Sequence, residues 1–294
     1  MYAIIGATGH VGGATARELL AAGAPVRVVV RDEVNGQDWK TRGAEVAVAD
    51  LADQEALSAA FAGCRGVFAM LPTSPTTTDA EQRRLADTLA AAVADRVAAA
   101  AAAGEPVTHV VMLSSVGADL ADGTGPVRWL HHLEDRLRAT GTVLTAIRSS
   151  HFQEKVEDVL GAAIDAGIYP VFGDVADMPT PLIATRDVGA VAAQSLLAPP
   201  SASEVVDLDG PHYTERQVAE KLGALLGTEL RVVTIPRLGW ISALTDAGLP
   251  APLAAEIAEL HLAGERGLLR PRGDRTRRCT TEIDQTLRDL VPSQ

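Results

Sequence analysis

A run of glycines near the start of the chain constrains the fold more than any other feature. It follows a short buried-strand pattern, Tyr2–Ile5, and opens a helical pattern that ends at Gly23. Glycines there let the backbone turn tightly and approach a pyrophosphate, which free N–H groups and the helix dipole would hold. A side chain at Gly9 would intrude on that group or force a forbidden backbone angle. The sequence predicts a dinucleotide-binding loop, with a ligand-free turn as the alternative, formed by Gly6, Thr8, Gly9, His10, Val11 and Gly12.

Short β-branched runs alternate with longer alanine- and leucine-rich runs through the first half of the chain. This pattern is typical of a parallel sheet covered by helices on both faces. Strands are predicted over residues 2–5, 26–30, 45–49, 66–71, 107–113 and 143–148. Helices are predicted over residues 11–22, 54–62, 79–103 and 127–139. The expected fold class is α/β, with a doubly wound parallel sheet of the Rossmann type.

Beyond residue 150 glycines and prolines become denser and the predicted strands become shorter. Helices are expected over residues 185–197, with Thr185 as N-cap, and over 214–226, opened by a capping box. Strands are expected over 205–208 and 231–235, and the chain is mostly helical from Leu238. We therefore expect a dinucleotide-binding domain over residues 1–150 and a smaller mixed α/β lobe on the substrate side over 151–294.

Charge and cysteine content narrow the class of function. The net charge of −12 argues against nucleic acid as a partner, because binding phosphate backbones requires a basic surface. Cys64 and Cys279 are too few and too far apart for a disulfide framework, and the early glycine run leaves no room for a signal peptide. We expect a cytoplasmic protein, monomer or homodimer, without a membrane span. The spacing of histidines and cysteines predicts no metal site.

The residues after the second and third predicted strands bear on which dinucleotide is bound. Arg31 follows the second strand directly, and Asp32 comes next. A guanidinium in this place can fork onto the 2′-phosphate of NADP, whereas a carboxylate would hold the 2′-hydroxyl of NAD. We expect NADP(H) to be preferred and NAD(H) to remain possible, with a solvated Arg31–Asp32 ion pair as the alternative. Asp50 is placed to accept from the adenine amino group or to complement the next helix dipole.

Several stretches of the chain match one family. They are the glycine run, Arg31, Asp50-Leu51, Leu113-Ser114-Ser115, residues 147–154 and 185–188, Leu208-Asp209-Gly210-Pro211 and residues 217–219. Over residues 1 to about 237 the chain resembles the NmrA-like group of atypical short-chain dehydrogenase/reductases. That group includes NAD(P)H-dependent quinone reductases, isoflavone-type reductases and regulators that bind dinucleotide without turnover. The resemblance implies that Leu51 joins the cofactor site.

The chain departs from the wider superfamily at the proton donor. Standard members use a Tyr-x-x-x-Lys dyad, in which the lysine lowers the tyrosine pKa. The tyrosines here, Tyr2, Tyr169 and Tyr213, are followed four residues on by glycine, glycine and glutamine. His131 and His132 lie on the predicted helix whose counterpart carries the dyad in relatives. One of them should face the cleft as proton donor, about 100° from its neighbour, unless both are structural.

Other side chains are expected near the nicotinamide and the substrate. Leu71 and Pro72, after the fourth strand, should pack against the nicotinamide side. Ser114 or Ser115 can hydrogen-bond a substrate carbonyl, although a plain strand-end cap is equally consistent with the position. The resemblance places Phe152 on the substrate side, in a stretch where Lys replaces the family's usual Asn at position 155.

Two functions follow from these residues. The first is an NAD(P)H-dependent oxidoreductase that reduces a small quinone, enone or carbonyl compound. Reduction of a quinone depends least on the missing tyrosine, because the reduced oxygens of a quinone can take protons from water. The second is a non-catalytic NAD(P)-sensing regulator that acts through a protein partner. The sequence does not identify the substrate.

Overall fold

A computed structural model describes residues 1–74, 76–106 and 108–291. Its strands are β1 (Tyr2–Ile5), β2 (Val26–Val30), β3 (Glu45–Val48), β4 (Gly66–Ala69), β5 (His109–Ser115), β6 (Val143–Ser149), β7 (His151–Phe152), β8 (Ile168–Phe172), β9 (Thr180–Ile183), β10 (Glu204–Asp209), β11 (His212–Tyr213), β12 (Arg231–Ile235) and β13 (Arg275–Arg278). Its helices are α1 (His10–Ala21), α2 (Gln37–Thr41), α3 (Gln54–Phe61), α4 (Asp79–Ala103), α5 (Val127–Arg138), α6 (Glu157–Ala166), α7 (Thr185–Leu197), α8 (Glu215–Leu226), α9 (Trp240–Asp246), α10 (Ala251–Glu265) and α11 (Ile283–Leu290).

The main sheet has eight parallel strands in the order β13-β10-β6-β5-β4-β1-β2-β3. β1 lies between β2 and β4, so the chain first builds outward through β2 and β3 and then in the opposite direction from β4. This reversal opens a crevice at the carboxyl ends of β1 and β4, where doubly wound sheets bind ligands. The predicted α/β, Rossmann-type fold is confirmed.

Apolar strands place this sheet between two layers of helices. Every residue of β1 and β4 is buried, as expected for strands covered on both faces. The core on one face includes Leu19 of α1 and Val188 of α7. The core on the other face includes Leu57 of α3, Leu89 of α4 and Leu133 of α5.

The C-terminal half of the chain returns to the main sheet. β10 pairs with β6, β13 pairs with β10, and α7 packs closely against α1. The predicted division at residue 150 therefore marks where the chain first leaves the sheet, and the main layer extends well beyond it.

The remaining C-terminal elements form the smaller mixed lobe. It contains a three-stranded sheet, β11-β9-β7, and a parallel pair, β12-β8, with their own apolar core against α8 and α11. Helix α10 crosses back to the main domain, where Glu256 pairs with Arg128 at the start of α5 and Glu259 accepts from the Gly125 N–H at 3.2 Å. α10 is thereby fixed beside the loop that follows β5.

Helix starts in this lobe follow the sequence in one case and differ in another. The capping box of Thr214 and Gln217 is present at the start of α8. Thr185 is the first residue of α7 and not its N-cap, because Glu154 accepts hydrogen bonds from the Thr185 N–H and hydroxyl. Val107, where the fifth strand is predicted to begin, lies outside the described residues.

Candidate functional site

The glycine loop presents the amino end of α1 to the crevice. Gly6 has a φ of +71°, a conformation that favours glycine, and its carbonyl accepts from the Gly9 N–H at 3.0 Å. Gly9 is the N-cap of α1 and has no side chain with which to cap the helix. The first-turn N–H groups of an α-helix have no partner within the helix, so they remain free to bind an anion.

The three glycines of the loop serve different purposes. A Cβ at Gly12 would lie 2.3 Å from the Gly6 carbonyl oxygen, so only glycine lets α1 start this close to β1. A Cβ at Gly9 would meet nothing nearer than 3.5 Å. With a φ of −99°, Gly9 is in an ordinary conformation, so the expected forbidden angle there is wrong. Of the two effects expected at Gly9, intrusion on a bound ligand remains.

The other loop residues divide between core and surface. Val11 is buried in the core with α7, so only its backbone faces the crevice. Thr8 and His10 are exposed. The His10 Nε2 lies 3.2 Å from Glu157 Oε2 at the start of α6, which connects the glycine loop to the smaller lobe.

The strand ends beside β1 provide the region expected to hold the adenosine. Arg31 is exposed just beyond β2, and no ion pair with Asp32 or with any other described residue engages its guanidinium. The Asp50 Oδ1 accepts from the Ala52 N–H at 2.7 Å, and Leu51 packs partly against the core. Asp53, not Asp50, caps α3 by accepting from the Ala56 N–H.

The carboxyl end of β4 forms the opposite wall of the crevice. Met70 packs against the cores on both faces of the sheet and lies directly over Gly6. Leu71 is buried in the core, so it can offer the crevice only its backbone. Pro72 is exposed, and its carbonyl accepts from Gln82 Nε2 at 2.7 Å.

The structure does not support the predicted role of Ser114. Its side chain is 3% exposed, and its hydroxyl donates to Glu134 Oε1 at 2.6 Å. Ser114 therefore binds α5 and not a substrate carbonyl. Ser115 is half-buried and donates to the Val116 carbonyl at 3.1 Å. Phe152 is half-buried beside the core that includes α1 and α7.

A buried ion pair lies beneath the site, and sequence reasoning did not find it. Arg148 of β6 faces Glu134 of α5, which is fully buried and also accepts from Arg138. Burial raises the pKa of the Glu134 carboxyl, but the hydrogen bonds and charge of Arg148 outweigh it, so the pKa lies below its usual value. Both groups stay charged and join the ends of β5, β6 and α5.

The two candidate histidines of α5 point in different directions. The His131 Nδ1 lies 2.9 Å from the Ala118 carbonyl oxygen, in the loop that leaves the carboxyl end of β5. The His132 Nε2 lies 3.0 Å from Asp87 Oδ1 on α4. His131 therefore lies beside the carboxyl end of β5, and its Nε2 also lies 3.4 Å from Asp135 Oδ2. Each imidazole thus has a carboxylate partner, and His132 faces the neighbouring helix α4; which of the two histidines donates a proton stays a prediction.

The smaller lobe contributes an aromatic cluster, here defined as Phe172, Trp240 and His261. The rings of Phe172 and His261 stack with centroids 4.8 Å apart and planes 13° apart. Trp240 packs at 5.6 Å against the same imidazole. His151, which follows β6, is exposed. The three residues of the cluster come from three separate elements, β8, α9 and α10, and no local motif connects them.

Two kinds of site are not found. Among the described residues, no three His, Cys, Asp or Glu side chains are grouped so that they could hold a metal ion. No helix in the described ranges is both long and apolar enough to cross a membrane.

Comparison with known proteins identifies the family and the fold. The model of the NmrA-like family matches residues 2–286. An NADPH-dependent quinone oxidoreductase of Escherichia coli, QOR2, solved with NADPH, superposes with a TM-score of 0.76 at 23% identity over 99% of each chain. Citrobacter sp. triphenylmethane reductase with NADP(H) gives a TM-score of 0.72 at 20% identity, over 99% of this chain and 100% of that one. No curated protein sequence matches the chain.

Proposed function

The chain belongs to the NmrA-like family, and from that membership we propose that it is an NADPH-dependent oxidoreductase that reduces a small quinone, enone or carbonyl compound. The observation that carries the proposal is the crevice itself, in which the uncapped start of α1 faces the end of β4, and Arg31 lies exposed beyond β2 without an ion pair to any described residue. The two similar reductases were solved with NADPH and with NADP(H), which agrees with this cofactor.

The residues present fit a dinucleotide with a 2′-phosphate. The open space at Gly9 admits a diphosphate against free N–H groups, where the helix dipole favours negative charge. The exposed Arg31 guanidinium, which pairs with no other residue in the described ranges, is available for the 2′-phosphate, and the exposed Asp50 retains a carboxylate oxygen for the adenine amino group. Met70 occupies the space over Gly6, so a bound dinucleotide would extend along the crevice and not across it.

When bound, the reduced cofactor supplies a hydride, which carries two electrons to the acceptor. A ketone then requires a proton at its oxygen as the hydride arrives, and a positioned acid typically contributes about 10²–10⁴-fold. His131 is the residue of α5 at the correct edge of the sheet for this purpose. A quinone is less demanding, because its reduced oxygen is a phenolate-like anion that water can protonate.

The proposed reaction does not use a tyrosine as the proton donor. Tyr2 is buried at the start of β1, far along the strand from the carboxyl edge. Tyr169 donates to Glu215 at 2.9 Å, and burial raises its pKa. Tyr213 donates to Glu282, and burial raises its pKa to about 12. Tyr169 and Tyr213 are thus held by carboxylates within the smaller lobe.

The test is turnover by the purified protein. NADPH and NADH are each incubated with 1,4-naphthoquinone, 2-cyclohexenone and cyclohexanone, and loss of the reduced nicotinamide absorbance is followed. We expect NADPH to be oxidised fastest with the quinone and slowest with the ketone. Tight NADPH binding without turnover of any acceptor would contradict the enzyme and support a regulator that senses the dinucleotide through a protein partner.

A further inference from the structure

We propose that the outer edge of β3 is an interface for a second copy of this chain, in which two β3 strands pair antiparallel about a two-fold axis. The pairing joins the two main sheets into one continuous sheet. It involves neither substrate nor cofactor, so it is tested independently of the oxidoreductase activity.

The backbone of β3 is open on one side. β3 is the last strand of the main sheet, and β2 is its one neighbour among the described strands. The Ala49 N–H donates to the Val30 carbonyl of β2 at 2.9 Å. In a parallel pair alternate residues face the neighbour, so the backbone groups of Ala47 also face β2. The N–H and C=O groups of Val46 and Val48 therefore point away from the sheet.

The side chains at this edge are apolar. Val48 is 54% exposed. Val34, on the 3-10 turn that follows β2, is 81% exposed, and the same turn packs against Val46 through Gly36. A cavity of about 300 Å³ beside β3 is lined mainly by alanines of β3 and α3. These small side chains leave room for a second chain to approach the strand.

The edge also lacks the charges that keep an edge strand from pairing. The four residues of β3 include one charged side chain, Glu45, and Arg27 binds its carboxylate at 2.9 Å. At the opposite edge of the sheet, by contrast, three of the four residues of β13 are arginines. Exposed edge strands in native proteins are commonly protected by charge, so an apolar edge indicates a strand that a partner covers.

A two-fold axis at Ala47 uses all the outward backbone groups of β3. Val46 of one copy then lies opposite Val48 of the other, and each of these two pairs exchanges two hydrogen bonds. The two valines of a pair share one face of the joined sheet, and the two Ala47 side chains meet on the other face. The contact is the same for both copies, so the assembly closes as a dimer.

The charges that flank β3 are complementary in this arrangement. Arg42 precedes the strand, is exposed and pairs with no carboxylate in the described ranges. Asp50 and Asp53 follow the strand and are exposed. Antiparallel pairing brings the basic end of one strand beside the acidic end of the other. The net charge of −12 opposes association of two copies, so these local attractions favour this edge and this orientation.

Sedimentation velocity at a series of protein concentrations measures the dimer. We expect the dimer fraction of the unchanged protein to rise with concentration. Val48→Lys puts a charge on the paired edge and should raise the dimer dissociation constant at least about tenfold. Val175→Lys, at a valine of the smaller lobe that is 60% exposed, is the matched control and should leave the constant unchanged. A monomer at every concentration, or equal constants for the two variants, would overturn the proposal.

The flanking charges are tested by Arg42→Gln and Asp53→Asn. Asparagine also caps helices, so Asp53→Asn removes the charge and keeps the cap of α3. Each variant should raise the dissociation constant about two- to tenfold, because the two-fold axis makes each substitution remove two exposed ion pairs. The double variant should be little weaker than either single one, since both remove the same pairs. Fully additive losses would overturn the antiparallel arrangement.

Amide hydrogen exchange locates the interface without any substitution. The amides of Val46 and Val48 should exchange more slowly as the protein concentration rises, because they become hydrogen-bonded in the dimer. The amides of β13 should exchange at the same rate at every concentration. A dimer whose added protection lies outside residues 44–50 would place the interface elsewhere and overturn the proposal.

Discussion

Arg148 donates two hydrogen bonds to the carboxylate of Glu134, from Nε to Oε1 at 2.9 Å and from Nη2 to Oε2 at 2.8 Å. Both side chains are buried. The Ser114 hydroxyl donates to the same carboxylate, so one buried charge joins two strand ends to α5. These strand ends and this helix carry the edge on which His131 and His151 lie.

Glu134→Gln should destabilise the fold strongly. The variant leaves the buried Arg148 guanidinium with only the longer 3.8 Å contact to Asp119, and removing one partner of a buried ion pair typically costs about 3–5 kcal/mol. Urea unfolding at pH 7 measures the change. Glu45→Gln, which breaks the exposed pair with Arg27, is the control and should cost about 1 kcal/mol or less. Similar losses in the two variants would contradict a special role for the buried pair.

Gly9→Val should fold normally and bind neither NADPH nor NADH. The added side chain meets no protein atom closer than 3.5 Å at its Cβ and enters the space in front of the free N–H groups. Calorimetry and thermal unfolding measure the two properties. Gly12→Ala should give the opposite result on stability, because its Cβ clashes with the Gly6 carbonyl. Normal cofactor binding by Gly9→Val would show that the diphosphate lies elsewhere.

Arg31→Ala should remove most of the preference for NADPH over NADH. A charge-assisted contact with the 2′-phosphate is worth about 1.5–3 kcal/mol, and NADH has no such phosphate. Titration of both cofactors into the variant and the unchanged protein measures the difference. Arg84→Ala removes an exposed arginine from α4 and should alter neither affinity. Equal affinities in the unchanged protein would exclude Arg31 as the selector.

His131→Ala should lower kcat on cyclohexanone and have a much smaller effect on 1,4-naphthoquinone. The expected loss on the ketone is about 10²–10⁴-fold if the imidazole is the general acid. His132→Ala, which removes only the contact with Asp87, should be close to the unchanged protein on both substrates. Unchanged rates for His131→Ala on both acceptors would remove this histidine from the mechanism.

Acid should destabilise the protein well above the pH at which carboxylates titrate. Burial lowers the pKa of His109 from 6.5 to about 4. Between those values the unfolded chain binds more protons, so stability falls as pH decreases from about 6.5 to 4. At about 1.4 kcal/mol per pKa unit, His109 alone contributes about 3 kcal/mol to this loss. His109→Gln should show a smaller difference between unfolding free energies at pH 7 and pH 4, and an unchanged difference would contradict the assignment.

The main sheet could largely be predicted because its elements are marked locally. A β-branched run that begins after Pro25 and ends at Arg31 delimits β2, and an alanine-rich stretch with a threonine before it delimits α4. β13 was missed because its four residues, Arg275–Arg278, are all exposed and contain no apolar side chain. An edge strand with one partner needs no buried face, so periodicity carries no signal for it.

The same contrast between locally marked residues and residues without a local signal applies to the candidate site. The glycine loop and Arg31 directly follow strands that could be recognised from the sequence, so their positions in the fold could be predicted. The partners of Ser114 and His132 could not be predicted, because they depend on helix packing, and Glu134 and Asp87 lie on elements whose facing sides the sequence does not fix. Phe172, Trp240 and His261 meet only because β8, α9 and α10 come together in the fold. No spacing rule could have joined them.

Because the chain returns late to the main sheet, one edge of that sheet stays unpaired while the protein is being synthesised. β10 acquires its outer neighbour, β13, only after the 65 residues that separate the two strands have been synthesised. Until then the nascent protein exposes the unpaired backbone of β10, a template for pairing with another chain. The arginines of β13 then cover that edge with like charges, which oppose stacking of one finished molecule on the next.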